Sequence, residues 1–214
     1  MVAVVFAGLP PDQLASVMFK RIRPDSGARR IIIDYGLTAL VAIALAIVVQ
    51  LVAVKPFLIP STSMANTLVP GQRVLVNRMT YHYRSVHRGD IIVFRRPEPP
   101  TDVLIKRVVG LPGDLISVHD GHLFVNGAQR HEPYVDKVDG ITEPTDPADP
   151  YASGEPDAPW SLAQPFRVPA GNYFVMGDNR TDSSDSRYWG TVPRRAIIGR
   201  AFFTYWPLSR IGGL

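Results

Sequence analysis

The strongest constraint in this 214-residue chain is a run of 20 residues without a charge, Tyr35 to Val54, bounded by Asp34 and Lys55. Its core reads LTALVAIALAIVVQLVAV, in which Thr38 and Gln50 are the polar residues. As a helix rising about 1.5 Å per residue it spans about 30 Å, roughly the hydrocarbon thickness of a bilayer. Three readings meet here. A soluble fold could bury such a helix on all sides. A cleaved export leader would carry a shorter apolar stretch, about 7–15 residues. An uncleaved transmembrane helix over 35–54 matches the length. Flanking charge then sets direction. Lys20, Arg21, Arg23, Arg29 and Arg30 precede the run, whereas the 20 residues after it carry Lys55 and Arg73. Basic flanks stay in the cytoplasm. Residues 1–34 are therefore expected as a cytoplasmic segment and residues 55–214 as one domain outside, on a single-pass protein of the cell membrane. The apolar stretch Met1–Leu9 is too short to span and receives no role.

Composition excludes several chemistries. There is no cysteine, so disulfides, thiolate–zinc sites, iron–sulfur clusters and thiol nucleophiles drop out. Hydrophobic residues at 46% are too many for a disordered chain. The 23 basic residues against 19 acidic ones are spread along the chain, and a nucleic-acid partner is not expected. Lys20, Lys55, Lys106 and Lys137 are the lysines of the chain.

Beyond the apolar run the pattern is mainly β. Val74–Val76, Ile91–Phe94, Val103–Val109, Tyr173–Met176, Ala196–Ile198 and Ala201–Tyr205 are short runs rich in β-branched or aromatic residues. Asp120-Gly121 and Asn126-Gly127 predict tight hairpin turns within Ser117–Gly127. Turn residues at short intervals predict antiparallel sheets and no long amphipathic helix. One stretch departs from this. Between Asp136 and Asp157 lie seven acids, one base (Lys137) and four prolines, too little apolar material for a core. It reads as an exposed excursion, over about residues 136–165. A metal site there is the alternative, although the acids lack the EF-hand pattern.

Three segments carry candidate chemistry. Ile59-Pro60-Ser61-Thr62-Ser63-Met64 sets two serines between a proline and an apolar residue. Leu104-Ile105-Lys106-Arg107-Val108-Val109 sets a lysine inside an apolar strand. Side chains alternate along a strand, so Lys106 shares a face with Leu104 and Val108 while Arg107 points the other way. If that face is inward, the ammonium loses water and its pKa falls. A neutral lysine can then take a proton from a serine. An edge lysine that blunts aggregation fits the same spacing. The third segment, Gly177 to Gly190, reads GDNRTDSSDSRYWG, dense in hydroxyls, carboxylates and guanidiniums. It fits a functional loop or a well-capped turn.

Together these segments closely resemble the bacterial type I signal peptidases, or leader peptidases, which are serine–lysine proteases. PSTSM matches that family's nucleophile box. Arg88–Phe94 followed by Ile105–Asp114 matches its lysine box, and Gly177–Gly190 matches its last box, GDNRxxSxDSRYWG. Tyr205-Trp206-Pro207 is also familiar, and the matches run in order over most of residues 57–207.

The resemblance implies an antiparallel β-sheet catalytic core with a smaller cap made by the acidic excursion, preceded by one transmembrane helix. It implies Ser63 as nucleophile, Lys106 as general base, and the Ser61 hydroxyl beside the Ser63 backbone N–H as an oxyanion hole. Ser183 would orient Lys106. Asp185 and Arg187 would pair to hold the last box, with Asp178 and Arg107 also structural. Ile59, Pro60, Met64, Leu68, Leu104 and Ile105 match the substrate-binding positions. No cofactor or metal is implied, and His82, His87, His119, His122 and His131 are bystanders. The implied activity is removal of N-terminal signal peptides from exported preproteins, with membrane lipid and the secretion machinery as further partners. Asn66 stands where the family usually has proline, Gln72 where it often has aspartate, and Leu104 where an aromatic is common. Two other classes remain open on the sequence: a self-cleaving serine–lysine peptidase, and a non-enzymatic anchored β-domain that binds exported proteins.

Overall fold

The computed structural model of the chain describes residues 26–97, 102–135, 137–138, 141–142, 144–145, 162 and 165–214. Two compact units divide the chain, Met1–Val48 and Val49–Leu214. The expected cytoplasmic segment before Ser26, with the Met1–Leu9 stretch, lies outside the described residues.

Helix α1 covers Ser26–Ala53, 28 residues. It takes in the basic residues Arg29 and Arg30 upstream of the apolar run, beyond what that run alone predicts. Leu37, Leu40, Val41, Ile43, Leu45, Ile47 and Val48 are all exposed. At about 100° per residue these positions face every direction around the axis. Among the described residues no helix is long and apolar enough to cross a membrane.

The second unit is mainly antiparallel β. Its strands are β1 (Val54–Leu58), β2 (Arg73–Asn77), β3 (Ile91–Arg95), β4 (Val103–Gly110), β5 (Leu115–His119), β6 (His122–Val125), β7 (Ala128–Gln129), β8 (Lys137–Val138), β9 (Ile141–Thr142), β10 (Phe166–Arg167), β11 (Asn172–Met176), β12 (Val192–Pro193), β13 (Ile197–Trp206) and β14 (Gly212–Gly213). The larger sheet runs β1-β2-β13-β3-β4-β11-β12, with β14 on β13; a smaller one runs β10-β5-β6-β7. The helices described in this unit after residue 53 are short: α2 (Thr80–Tyr83) and α3 (Ser186–Trp189).

Each expected apolar run lies in a strand except Ala196, which ends a 3-10 turn, and the two candidates near the C-terminus fused into the single ten-residue β13. Both expected turns form as the dipeptides dictate. Asp120 and Gly121 have φ of 50° and 73°, and Asn126 and Gly127 have 54° and 79°. Successive positive φ values define the turn that matches strand twist. The 136–165 excursion lies mostly outside the described residues; within it β8 pairs β9, and Thr145 and Leu162 are buried.

The larger sheet leaves two edges open near one another. β1 pairs β2, and it ends the strand order. Pro56 lacks an amide hydrogen and suits such an edge. β4 pairs β3 along 103–107, but β11 joins it at Arg107 and beyond. Residues 103–106 therefore have one paired side among the described residues. Phe57 of β1 and Val103 of β4 line one groove of about 540 Å³. The sheet thus curls until its two open edges face a common cleft.

Three apolar clusters hold the unit. Ile59, Met64, Leu68 and Ile105 belong to the first. Ile92, Phe94, Val108, Val175 and Trp189 belong to the second, on the opposite face of β4 from Ile105. The third joins the small sheet to β11 through Ile116, Val125, Phe174 and Met176.

Candidate active site

Lys106 occupies the middle of β4 opposite Ile92. Its side chain is 3% exposed, so the inward alternative holds and the edge-lysine reading falls. Burial strips water from the ammonium and pushes it down to about 8, against the pull of the Asp185 carboxylate. Arg187 works with burial, while Asp178 and Asp182 work against it. All four of these charges come from the Gly177–Gly190 segment, which brings the second and third candidate segments together.

The nucleophile-box loop joins the same place. Ser63 is buried, and its Oγ lies 3.2 Å from Ser61 Oγ. The Asn179 N–H donates to the Ser63 carbonyl at 3.2 Å. Thr62 donates from its hydroxyl to the Asp182 carboxylate. The close contact that packs these pieces is at Gly177. A Cβ there would stand 2.3 Å from Ser183 Oγ and 2.3 Å from the Ser63 carbonyl oxygen. Only glycine allows both segments to approach so closely. Gly177 also follows Met176, whose ladder partner is Arg107, the neighbour of Lys106.

The last segment is held by a buried ion pair. Asp185 Oδ1 lies 2.9 Å from Arg187 Nε. Asp185 also accepts from Ser183 Oγ at 2.8 Å and from the Gly177 N–H at 3.0 Å. Burial alone would raise its carboxyl, but Arg187, with Lys106 and the Gly177 N–H, more than offsets this and holds it below the usual carboxylate range. The Asp185 carboxylate also caps α3 by accepting from the Arg187 N–H. An expected Ser183–Lys106 hydrogen bond is not among those of the described residues; the Ser183 proton goes to Asp185 instead. Asp178 is fully buried and forms a two-pronged pair with Arg107, at 2.8 and 2.6 Å. Thr67 adds a third bond to the same carboxylate at 2.5 Å.

The expected substrate-binding residues divide. Ile59, Met64, Leu68 and Ile105 share the first cluster, and Pro60 is exposed beside them. Leu104, on the other face of β4, packs against the second cluster.

Comparison with known proteins decides the family. The model for "signal peptidase, peptidase S26" matches residues 32–206. The chain belongs to the peptidase S26 signal peptidase family. A signal peptidase I of Leptolyngbya laminosa is 36% identical over 96% of this chain and 91% of its own length. One of Pseudomonas fluorescens is 34% identical over 99% and 88%. A probable signal peptidase I-2 of Synechocystis is 38% identical over 84% and 76%. As a member of this family the chain is a hydrolase.

Several supports of the signal peptidase site carry no signal in the local sequence. Glu132 takes two hydrogen bonds from the buried Arg180, at 2.8 and 2.6 Å, while Arg180 Nε donates to the Gly177 carbonyl at 3.0 Å. The Arg107 guanidinium stacks over the Tyr134 ring at 4.0 Å. Nothing in local spacing ties 132–134 to the boxes. Asn66 has φ of 75°, a left-handed conformation that asparagine tolerates and proline cannot adopt. Asn66 Nδ2 also ties this loop to the Tyr134 carbonyl at 3.2 Å. Gln72 is buried, and its side-chain oxygen accepts from the Val69 N–H at 3.1 Å.

Proposed function

We propose that this chain is a membrane-anchored serine endopeptidase that removes N-terminal signal peptides from exported preproteins with a Ser63/Lys106 dyad. The observation that carries the mechanism is a lysine 3% exposed within a β-sheet, its ammonium pushed down to about 8. Near neutral pH an ordinary lysine, with a pKa of about 10.4, is almost wholly charged and cannot accept a proton. Lys106 is far closer to its neutral form.

In the first step the Ser63 hydroxyl passes its proton to the Lys106 amine as Oγ attacks the scissile carbonyl carbon. Because the Ser183 proton is committed to Asp185, the Ser183 oxygen can only accept. An N–H of Lys106 that turns toward this oxygen during the reaction leaves the amine lone pair for Ser63. The Ser63 N–H and the Ser61 hydroxyl receive the charge that builds on the carbonyl oxygen. As the C–N bond breaks, the leaving amine takes the proton from Lys106. Water then gives a proton to the Lys106 amine as its oxygen adds to the acyl carbon, and as the C–Oγ bond breaks Lys106 returns that proton to Ser63.

Substrate binding rests on the open strand edges. β1 leads into Ser61–Ser63, and the unpaired edge of β4 ends at Lys106. An extended peptide can add between them as a strand. Ile59, Met64, Leu68 and Ile105, with Pro60 next to them and Leu104 on the other face of β4, give shallow apolar walls that suit alanine-sized side chains. Moving a charged side chain there costs several kcal/mol without a partner. A-x-A ends of signal peptides fit that demand.

The anchor reading is supported by α1, whose apolar side chains face every direction. The same uncharged run, Tyr35–Val54, and the charge asymmetry around it support a single span with residues 1–34 cytoplasmic and 55–214 outside. Membrane lipid and the secretion machinery are then natural neighbours, and residues 136–165 form the cap. The test uses the full chain in detergent with a preprotein. Processing is expected, and Ser63→Ala and Lys106→Ala should each abolish it. Processing retained by both variants would refute the dyad.

A further inference from the structure

The cleft that faces the open edges of β1 and β4 has a charged far end. Lys55, Arg78, Arg95 and His82 line it, with Phe57 and Val103 as apolar wall. Lys55, Arg78 and Arg95 are exposed and make no ion pair among the described residues. No carboxylate lines the groove among the described residues. These residues come from β1, from the turn after β2, from α2 and from the end of β3, so the fold brings together groups distant in sequence.

Position relates this end to the reaction. Val103 precedes Lys106 by three residues on β4, about 10 Å at a strand's rise of about 3.3 Å per residue. Lys55 is the second residue of β1, eight residues before Ser63 and so further back than Val103 from the reacting groups. The pocket residues Ile59 and Ile105 precede Ser63 and Lys106 in the same sense. A bound strand therefore runs its residues before the scissile bond back along β1 and β4, toward the groove. Side chains roughly three to six positions before that bond reach the cations.

We infer that this cationic end selects substrates by charge, favouring acidic or neutral side chains at those upstream positions and disfavouring lysine and arginine. The inference rests on the strand-addition reading of the proposed peptidase. An acidic side chain meets three cations against an apolar wall, where water screens less than on an open surface. A basic one meets the same field with the opposite sign. Because the cations are exposed, the preference is moderate: an acidic over a basic residue by about fivefold to tenfold in kcat/KM, shrinking with added salt.

The experiment takes the full chain in a neutral detergent and one preprotein in three forms, with Asp, Gln or Lys four or five residues before the scissile bond. The ratio of kcat/KM for the Asp and Lys forms is read within each protein, so a general change in activity cancels. The native chain should prefer Asp. Arg95→Glu should flatten the ratio, and Lys55→Glu with Arg95→Glu should reverse it. An unchanged ratio in the double variant overturns the inference. A preference that appears only in vesicles containing phosphatidylglycerol, and not in detergent or phosphatidylcholine, also overturns it and assigns the cations to lipid headgroups. Cleavage of the Gln form by the native chain but not by Ser63→Ala establishes the proposed activity separately. If the Gln form is not cleaved at all, the proposed activity itself has failed.

Discussion

Lys106 sits where its charge is costly, and that cost is measurable in two ways. The first is rate. Below the lysine's folded pKa of about 8 the neutral fraction falls tenfold per pH unit. The logarithm of kcat/KM should climb with a slope near one and level above that point. Lys106→Arg should abolish cleavage, because arginine stays protonated at any working pH, whereas single replacement of each histidine should leave most of the rate. A histidine variant that lost the rate would move the base elsewhere. The second measure is stability. The folded pKa lies below the ordinary 10.5, so between about 8 and 10.5 the unfolded chain binds more protons than the folded one. Stability contributed by this group therefore rises with pH across that window and is lowest below it. Lys106→Met should give an inactive chain more stable at pH 7 by about 1–3 kcal/mol. Denaturant unfolding checks this, and the gain should shrink toward pH 10 as the native lysine discharges.

At the scale of elements, the site depends on one close approach and one buried bridge. Gly177 follows β11 directly, where a methyl group would meet both Ser183 Oγ and the Ser63 carbonyl at 2.3 Å. Neither is the free end of a flexible chain, so the loops must part. Gly177→Ala should cut kcat by two or more orders of magnitude, since misplacement of about 1 Å costs about 100-fold. KM should change less. Equal turnover by this variant would mean that Ser63 and Ser183 need not be so close. The bridge is Glu132 to Arg180, with Arg180 fully buried and tied to the Gly177 carbonyl. Glu132→Ala leaves that guanidinium without its carboxylate. Loss of one partner of a buried pair costs about 3–5 kcal/mol, and thermal unfolding should show it.

For the whole molecule, the prediction is topological. On the proposed single span, with five basic residues on its N-terminal flank, a reporter fused after Leu214 should be active only outside the cytoplasm. Protease added to spheroplasts should reach residues beyond Lys55 unless the folded sheets resist it. A fusion active in the cytoplasm would reverse the orientation and place the catalytic unit on the wrong side for exported preproteins.

The features legible in the sequence were those written in neighbouring residues. An uncharged run fixes a long apolar helix. Asp-Gly and Asn-Gly fix two hairpins through their positive φ angles. Alternation in Leu104–Val109 fixes which side chains share a face with Lys106, and the same alternation separates Leu104 from Ile105. The three boxes were legible too, because each is a local string. Local patterning did not reveal β1, whose Pro56 and short length hide an edge strand, nor the curl that turns two distant edges toward one cleft. It could not pair Glu132 with Arg180, Thr62 with Asp182, or Tyr134 with Arg107. Those contacts join segments tens of residues apart, and their spacing along the chain carries no period that a helix or strand would impose. Burial of Lys106 lies between the two cases. Its direction follows from the strand, but the loss of water that moves its proton exists only once Ile92, Val108 and the last box have closed around it.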